Sequence, residues 1–254
     1  MNKIFKMDLH RMLHSKSFYV TIVFLIAMAV GQLIGGMNTT LDGLMGAVSA
    51  ADGGADFMSS AMGAGVIYIL LSIILAIFVC GDYSGGFAKS IFSVHADPKE
   101  YIGGKLLSMG VTSAFMLVLY TVICAIALPL FGHAVALTGG IFGLLVFLIE
   151  KWLLSIALCA VILLVALFTR NMAWSILAGF LVSTGGLTMG AAMLAEMLHM
   201  PWIETAFSFT ISSTARLCSM TFEPVMFIRI LLTCIGWVAA ACAASALTIR
   251  KKDI

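Results

Sequence analysis

The chain has 254 residues, of which 62% are hydrophobic and only 10% charged, with a mean hydropathy of +1.12. That balance excludes a soluble globular domain and points to a single integral membrane domain over residues 1–254. The formal net charge of +2 says little until it is divided by membrane side, and no nucleic-acid partner is expected.

Crossing a hydrocarbon core of about 30 Å takes about 20 apolar residues in a helix. Six such runs predict an all-α fold with spans at 17–36, 61–80, 106–130, 152–169, 172–190 and 225–247. Residues 1–16 read as an interfacial amphipathic helix, with Phe5, Leu9, Met12 and Leu13 on one face and Lys3, Lys6, His10 and His14 on another. The apolar run 18–34 is too long for the core of a secretory leader and lacks a small-x-small cleavage site, so it is expected to remain as the first span. Residues 35–60 form a Gly/Ala/Asp-rich external connection, in which Asp42, Asp52 and Asp56 match no calcium-loop spacing.

After the second span comes a polar island, CGDYSGGFAKSIFSVHADPKEYIGGK, from Cys80 to Lys105. Phe87, Ile91 and Val94 fall at i, i+4 and i+7, which predicts a short helix with one narrow apolar face and Lys89 pointing elsewhere. Asp97 is placed to cap the next helix, Pro98 takes its first position, and Glu100 completes the capping signal.

Residues 134–169 are too many for one simple span and contain Glu150 and Lys151. Either a short interfacial or re-entrant piece at 139–148 precedes a span from Trp152, or one span carries a buried ion pair. A charge in mid-bilayer costs about 2.5–3.5 kcal/mol on insertion scales, which together with the interfacial habit of Trp favours the first reading. The fifth span places Gly179, Ser183, Gly186 and Gly190 at i, i+4, i+7 and i+11, a small-residue stripe suited to close helix packing. Residues 191–223 read as external re-entrant helices broken at Pro201, with His199 as a polar cap or a proton-linked group. The last span carries Arg229 about one turn inside its start, and Arg250, Lys251 and Lys252 anchor its end. With the amino terminus inside, eleven of the fourteen Lys and Arg residues lie on the cytoplasmic face, as does the island.

The island resembles the loop between the second and third spans of type-two ABC exporter permeases. In that family an acidic residue follows span two, then come glycine, a short helix, a basic residue, an aromatic and a Gly-Lys pair opening span three. Asp82, Gly85, Gly86, Lys89, Tyr101, Gly104 and Lys105 follow that order. Pro98 departs from it, since many relatives carry Arg there. The resemblance implies that the short helix docks on a separate ATPase subunit, making Asp82, Gly85, Gly86, Phe87, Lys89, Ile91 and Phe92 the coupling residues. It gives the stripe of Gly179, Ser183, Gly186 and Gly190 a second reading, as a wall of the pathway or dimer interface. It further implies a second permease copy or paralogue, ATP and Mg on the ATPase partner, and an amphiphilic or hydrophobic cargo. Similar permeases serve antimicrobial or amphipathic-peptide export and immunity in the bacterial cytoplasmic membrane, with both termini cytoplasmic.

The chain itself offers no chemistry for an enzyme. SGGFAKS and IGGKLL lack the glycine spacing of a phosphate cradle. Five of the six cysteines lie in or beside apolar runs and read as small packing residues, without zinc spacing, so no cofactor is expected in this chain. The competing expectation is a self-contained six-span channel or ion-coupled carrier, against which stands the lack of a visible internal repeat.

Overall fold

A computed structural model describes residues 2–37, 65–86, 98–130, 140–200, 202, 207–218, 220 and 222–251. They form nine helices: α1 (Asn2–Leu13), α2 (Lys16–Met37), α3 (Val66–Ser84), α4 (Pro98–Leu130), α5 (Gly140–Thr169), α6 (Met172–Thr184), α7 (Gly186–Leu198), α8 (Ile211–Arg216) and α9 (Pro224–Lys251). Four helices are long and apolar enough to cross a membrane, or up to six if each of two bent pairs is one span. The bent pairs join α1 to α2 at 61° and α6 to α7 at 65°. This architecture is compatible with an all-α, multi-pass membrane protein.

Helix α5 lies at the centre, packed against α9, α3, α4 and α6. Its Leu154, Leu158, Ile162 and Leu163 recur at helical spacing and are buried against Leu71, Leu75 and Val79 of α3. In lipid the hydrophobic effect does not drive helices together, so close approach of backbones has to do so. Gly179 shows how: a Cβ there would lie 2.3 Å from the Ser72 Cβ, so only glycine lets α6 sit this near α3. The apolar window of α3 is 67% buried inside the chain and that of α9 only 22%. Helix α3 is therefore an inner element, while α9 turns Val225, Ile228, Leu232 and Ile235 outward.

Contacts between helix ends define two ends of the bundle. The Arg170 guanidinium stands over the Tyr83 ring at 5.1 Å, joining the end of α5 to the end of α3. At the opposite end Phe142 meets Phe222 at 6.1 Å, and Gly65 abuts the Ser183 carbonyl.

Three elements differ from the expectation. Helix α5 runs unbroken from Gly140 to Thr169, so the short piece expected ahead of Trp152 is the first part of the same helix. The expected fifth span is interrupted, because Gly185 adopts φ 78° and ends α6 after 13 residues, about 20 Å of helix. Helix α1 does not present Phe5, Leu9, Met12 and Leu13 as one lipid face. Met12 and Asp8 are buried against α4, Leu13 is 41% exposed, and the Thr112 hydroxyl donates to the Met12 sulfur at 3.3 Å. The reason is electrostatic: α4 offers a cation to Asp8, and rotating α1 toward it buries the acid with its partner. Residues 87–97, including Phe87, Lys89, Ile91 and Phe92 of the expected coupling helix, lie outside the described residues.

Candidate functional site: a four-charge cluster

Each of three helices delivers charge to one point. On the last turn of α3, Asp82 precedes Gly85 and Gly86; the latter, at φ 71°, ends the helix in a conformation that glycine adopts without cost. Tyr101 and Lys105 stand one turn apart on α4 and so share a face. Asp8 and Arg11 are neighbours at i, i+3 on α1.

Lys105 Nζ lies 2.5 Å from Asp82 Oδ2 and 3.3 Å from Asp8 Oδ2. Arg11 Nη2 donates to Asp82 Oδ1 at 2.9 Å, and Arg11 Nη1 is 3.8 Å from Asp8 Oδ1. The Tyr101 hydroxyl donates to Asp82 Oδ2 at 3.5 Å. Phe78, one turn before Asp82, places its ring 3.7 Å from Lys105 Nζ and 5.2 Å from the Arg11 guanidinium. Asp8, Asp82 and Lys105 are fully buried, while the Arg11 side chain keeps 37% of its surface exposed. Two acids and two bases leave the cluster neutral, which is the condition for burying it at all. The Lys105 ammonium reaches both carboxylates, so one buried cation is shared by two acids.

The cluster ties the end of α3 to the start of α4, the two helices that bracket residues 87–97, and adds α1 as a third strut. Asp82, Tyr101 and Lys105 came from the island's pattern. Asp8 and Arg11 fall inside the amphipathic stretch 1–16 and carry no pattern of their own, although an acid on the buried side of α1 is itself a sign of a buried partner. Gly85 and Gly86 are exposed beside the cluster and take no part in it.

The stripe on α6 and α7 does not form one surface. Gly179 and Ser183 are buried against α3 and Gly65, whereas nothing lies within 4 Å of a Cβ built at Gly190. Gly186 faces Leu181 on the other side of the bend.

A second polar centre lies near the middle of α5. Lys151 is 1% exposed and Glu150 4% exposed, so both are covered by the chain itself rather than turned to its surroundings. They do not pair with each other within the ion-pair distance. Instead Lys151 Nζ donates to the Ala215 carbonyl at 2.6 Å, at the end of α8, and stands 5.3 Å over the Phe147 ring. A cation at a helix C-terminus meets unpaired carbonyls and the negative end of the helix dipole. Glu150 lies beside Cys218, whose thiol burial pushes up to about 12; that cysteine is a packing group, not a nucleophile. Among the described residues no group of three or more His, Cys, Asp and Glu side chains is placed to hold a metal.

Comparison with known proteins finds no family model and no curated relative that matches this chain.

Proposed function

We propose that the chain is the permease subunit of an ATP-driven exporter of the type-two ABC kind, moving an amphiphilic or hydrophobic cargo with a second permease copy or paralogue. The observation that carries this reading is the convergence of Asp82, Tyr101 and Lys105, three members of the island's pattern, in one buried cluster with Asp8 and Arg11. A segment that docks on an ATPase transmits force only if its two ends are held rigidly to the spans. The ion cluster does this for residues 87–97: it locks the end of α3 to the start of α4 and carries α1 with them. ATP and Mg belong to the partner subunit, and this chain hydrolyses nothing.

Phe87 and Ile91 are then the anchors in the ATPase groove, where truncating a packed aromatic commonly costs about 2 kcal/mol or more. Phe87→Ala with Ile91→Ala is expected to abolish cargo-stimulated ATP hydrolysis by the reconstituted complex while the permease still inserts and dimerises. Wild-type stimulation and wild-type co-purification of an ATPase in the double variant would overturn the reading.

Buried Glu150 and Lys151 favour a second reading, a self-contained ion-coupled carrier, since ionisable groups inside spans commonly mark ion pathways. Cargo flux by the purified chain alone in liposomes, lost in Glu150→Gln, would establish it in place of the first.

A further inference from the structure

We propose that the groove between the first turns of α9 and residues 207–210 is a binding site for a membrane phospholipid, with Arg229 holding the phosphate and an acyl chain lying along α9. The groove has a volume of about 470 Å³ and is lined by Ser208, Phe209, Val225, Ile228, Arg229 and Leu232. Val225, Ile228 and Leu232 expose 77%, 56% and 63% of their surface, which gives the groove an apolar floor open to its surroundings.

Arg229 is the feature that selects the occupant. Among the described residues no carboxylate neutralises it. Its Nη2 donates only to the Ser208 carbonyl and hydroxyl, at 3.3 Å each, and its guanidinium stands 4.9 Å from the Phe209 ring centre. Nε is buried without a hydrogen-bond partner. Among the described residues the guanidinium is thus held by neutral groups, at the edge of an apolar groove. Its planar fork of donors fits a phosphate, and the groove beside it fits hydrocarbon; a phospholipid carries both on one molecule.

Depth supports the same occupant. A 28-residue helix such as α9 is about 42 Å long against a hydrocarbon core of about 30 Å, so about 6 Å projects at each end when it is centred. Arg229 lies about 7.5 Å from the helix start. Helical side chains lean toward the N-terminus, which carries the guanidinium outward to headgroup level.

The test uses the full chain, purified and examined by native mass spectrometry with added lipids of matched acyl chains. Phosphatidylglycerol is expected to remain bound where diacylglycerol, which lacks the phosphate, dissociates. Arg229→Gln is expected to weaken phosphatidylglycerol retention about fivefold, with Arg229→Lys between the two. Equal retention of diacylglycerol and phosphatidylglycerol by the unaltered chain would overturn the proposal, and that comparison needs no variant to fold. Displacement of the bound lipid by inorganic phosphate alone, or unchanged retention in Arg229→Gln, would overturn it as well.

Discussion

Lys105 is the single residue on which the charge cluster balances. Its ammonium faces two buried carboxylates, and Arg11, partly in solvent, reaches the same pair from α1. Replacing a whole buried ion cluster by apolar groups is often neutral, but removing one member leaves a buried charge without compensation, typically at about 3–5 kcal/mol. Lys105→Met is therefore expected to destabilise the folded chain by about that amount, and Asp8→Asn in the same chain to recover most of it by restoring neutrality. Denaturant titration in micelles of the two single variants and the double variant reads the coupling; additive effects would show that Asp8 and Lys105 do not act as a unit. At this scale the sequence was only partly legible. Asp82 and Lys105 stood out because they interrupt apolar runs, whereas Asp8 and Arg11 sit in a helix where charge is ordinary. Their partners lie more than 70 positions away for Arg11 and Asp82, and no local pattern encodes a contact of that range.

Helix α8 is short, only 6 residues, and such a helix has little stability of its own. It is held from outside. Lys151 donates to its Ala215 carbonyl and Arg216 Nη2 donates to Thr184 at 3.4 Å, while Trp237 Nε1 donates to Phe209 just ahead of it at 3.0 Å. All three donors seek main-chain carbonyls. Lys151→Met is expected to cost about 1.5–3 kcal/mol, the worth of a hydrogen bond from a charged group, and to speed maleimide labelling of a cysteine placed at Ser213. Glu150→Gln leaves the Lys151 bond intact and is expected to change that labelling little; equal acceleration in both variants would show that Glu150, not Ala215, holds Lys151. The bend at Gly185 belongs to the same scale. Gly185→Ala would strain a φ of 78° and bring a Cβ within 3.2 Å of Arg216 Nη2. Long apolar helices were legible because their composition alone demands them. The break at Gly185 was not, since Gly185 lies beside a small-residue stripe whose spacing reads as a continuous packing face. The continuity of α5 was hidden for a related reason: the cost of burying Lys151 was visible, but the carbonyl that offsets it lies in a separate element.

At the scale of the whole molecule, helix-end contacts gather the described helix ends at two ends of the bundle. The ends of α3 and α5 meet through Tyr83 and Arg170, beside the start of α4 and the ion cluster. At the other end the start of α3 abuts the end of α6 through Gly65 and Ser183, the start of α5 meets the residues ahead of α9 through Phe142 and Phe222, and Arg216 of α8 reaches Thr184 of α6. In a bilayer this arrangement places the carboxyl end of α9 on the same side as the cluster, and the proposed permease reading takes that side, where Lys and Arg are in excess, as the cytoplasmic one. Helix α6 alone, at about 20 Å, falls short of a core of about 30 Å, so only α6 and α7 taken together are long enough for a crossing. All six native cysteines are buried or partly buried, so they compete little for an aqueous maleimide, and a cysteine-free background removes what reactivity remains. In that background Ser84→Cys, beside the cluster, is expected to react with a membrane-impermeant maleimide only after the cytoplasmic face is opened. Leu217→Cys, 40% exposed at the far end, is expected to react in intact cells. Labelling of both positions from one side would break the division into two ends, and with it the placing of residues 87–97 where an ATPase could reach them.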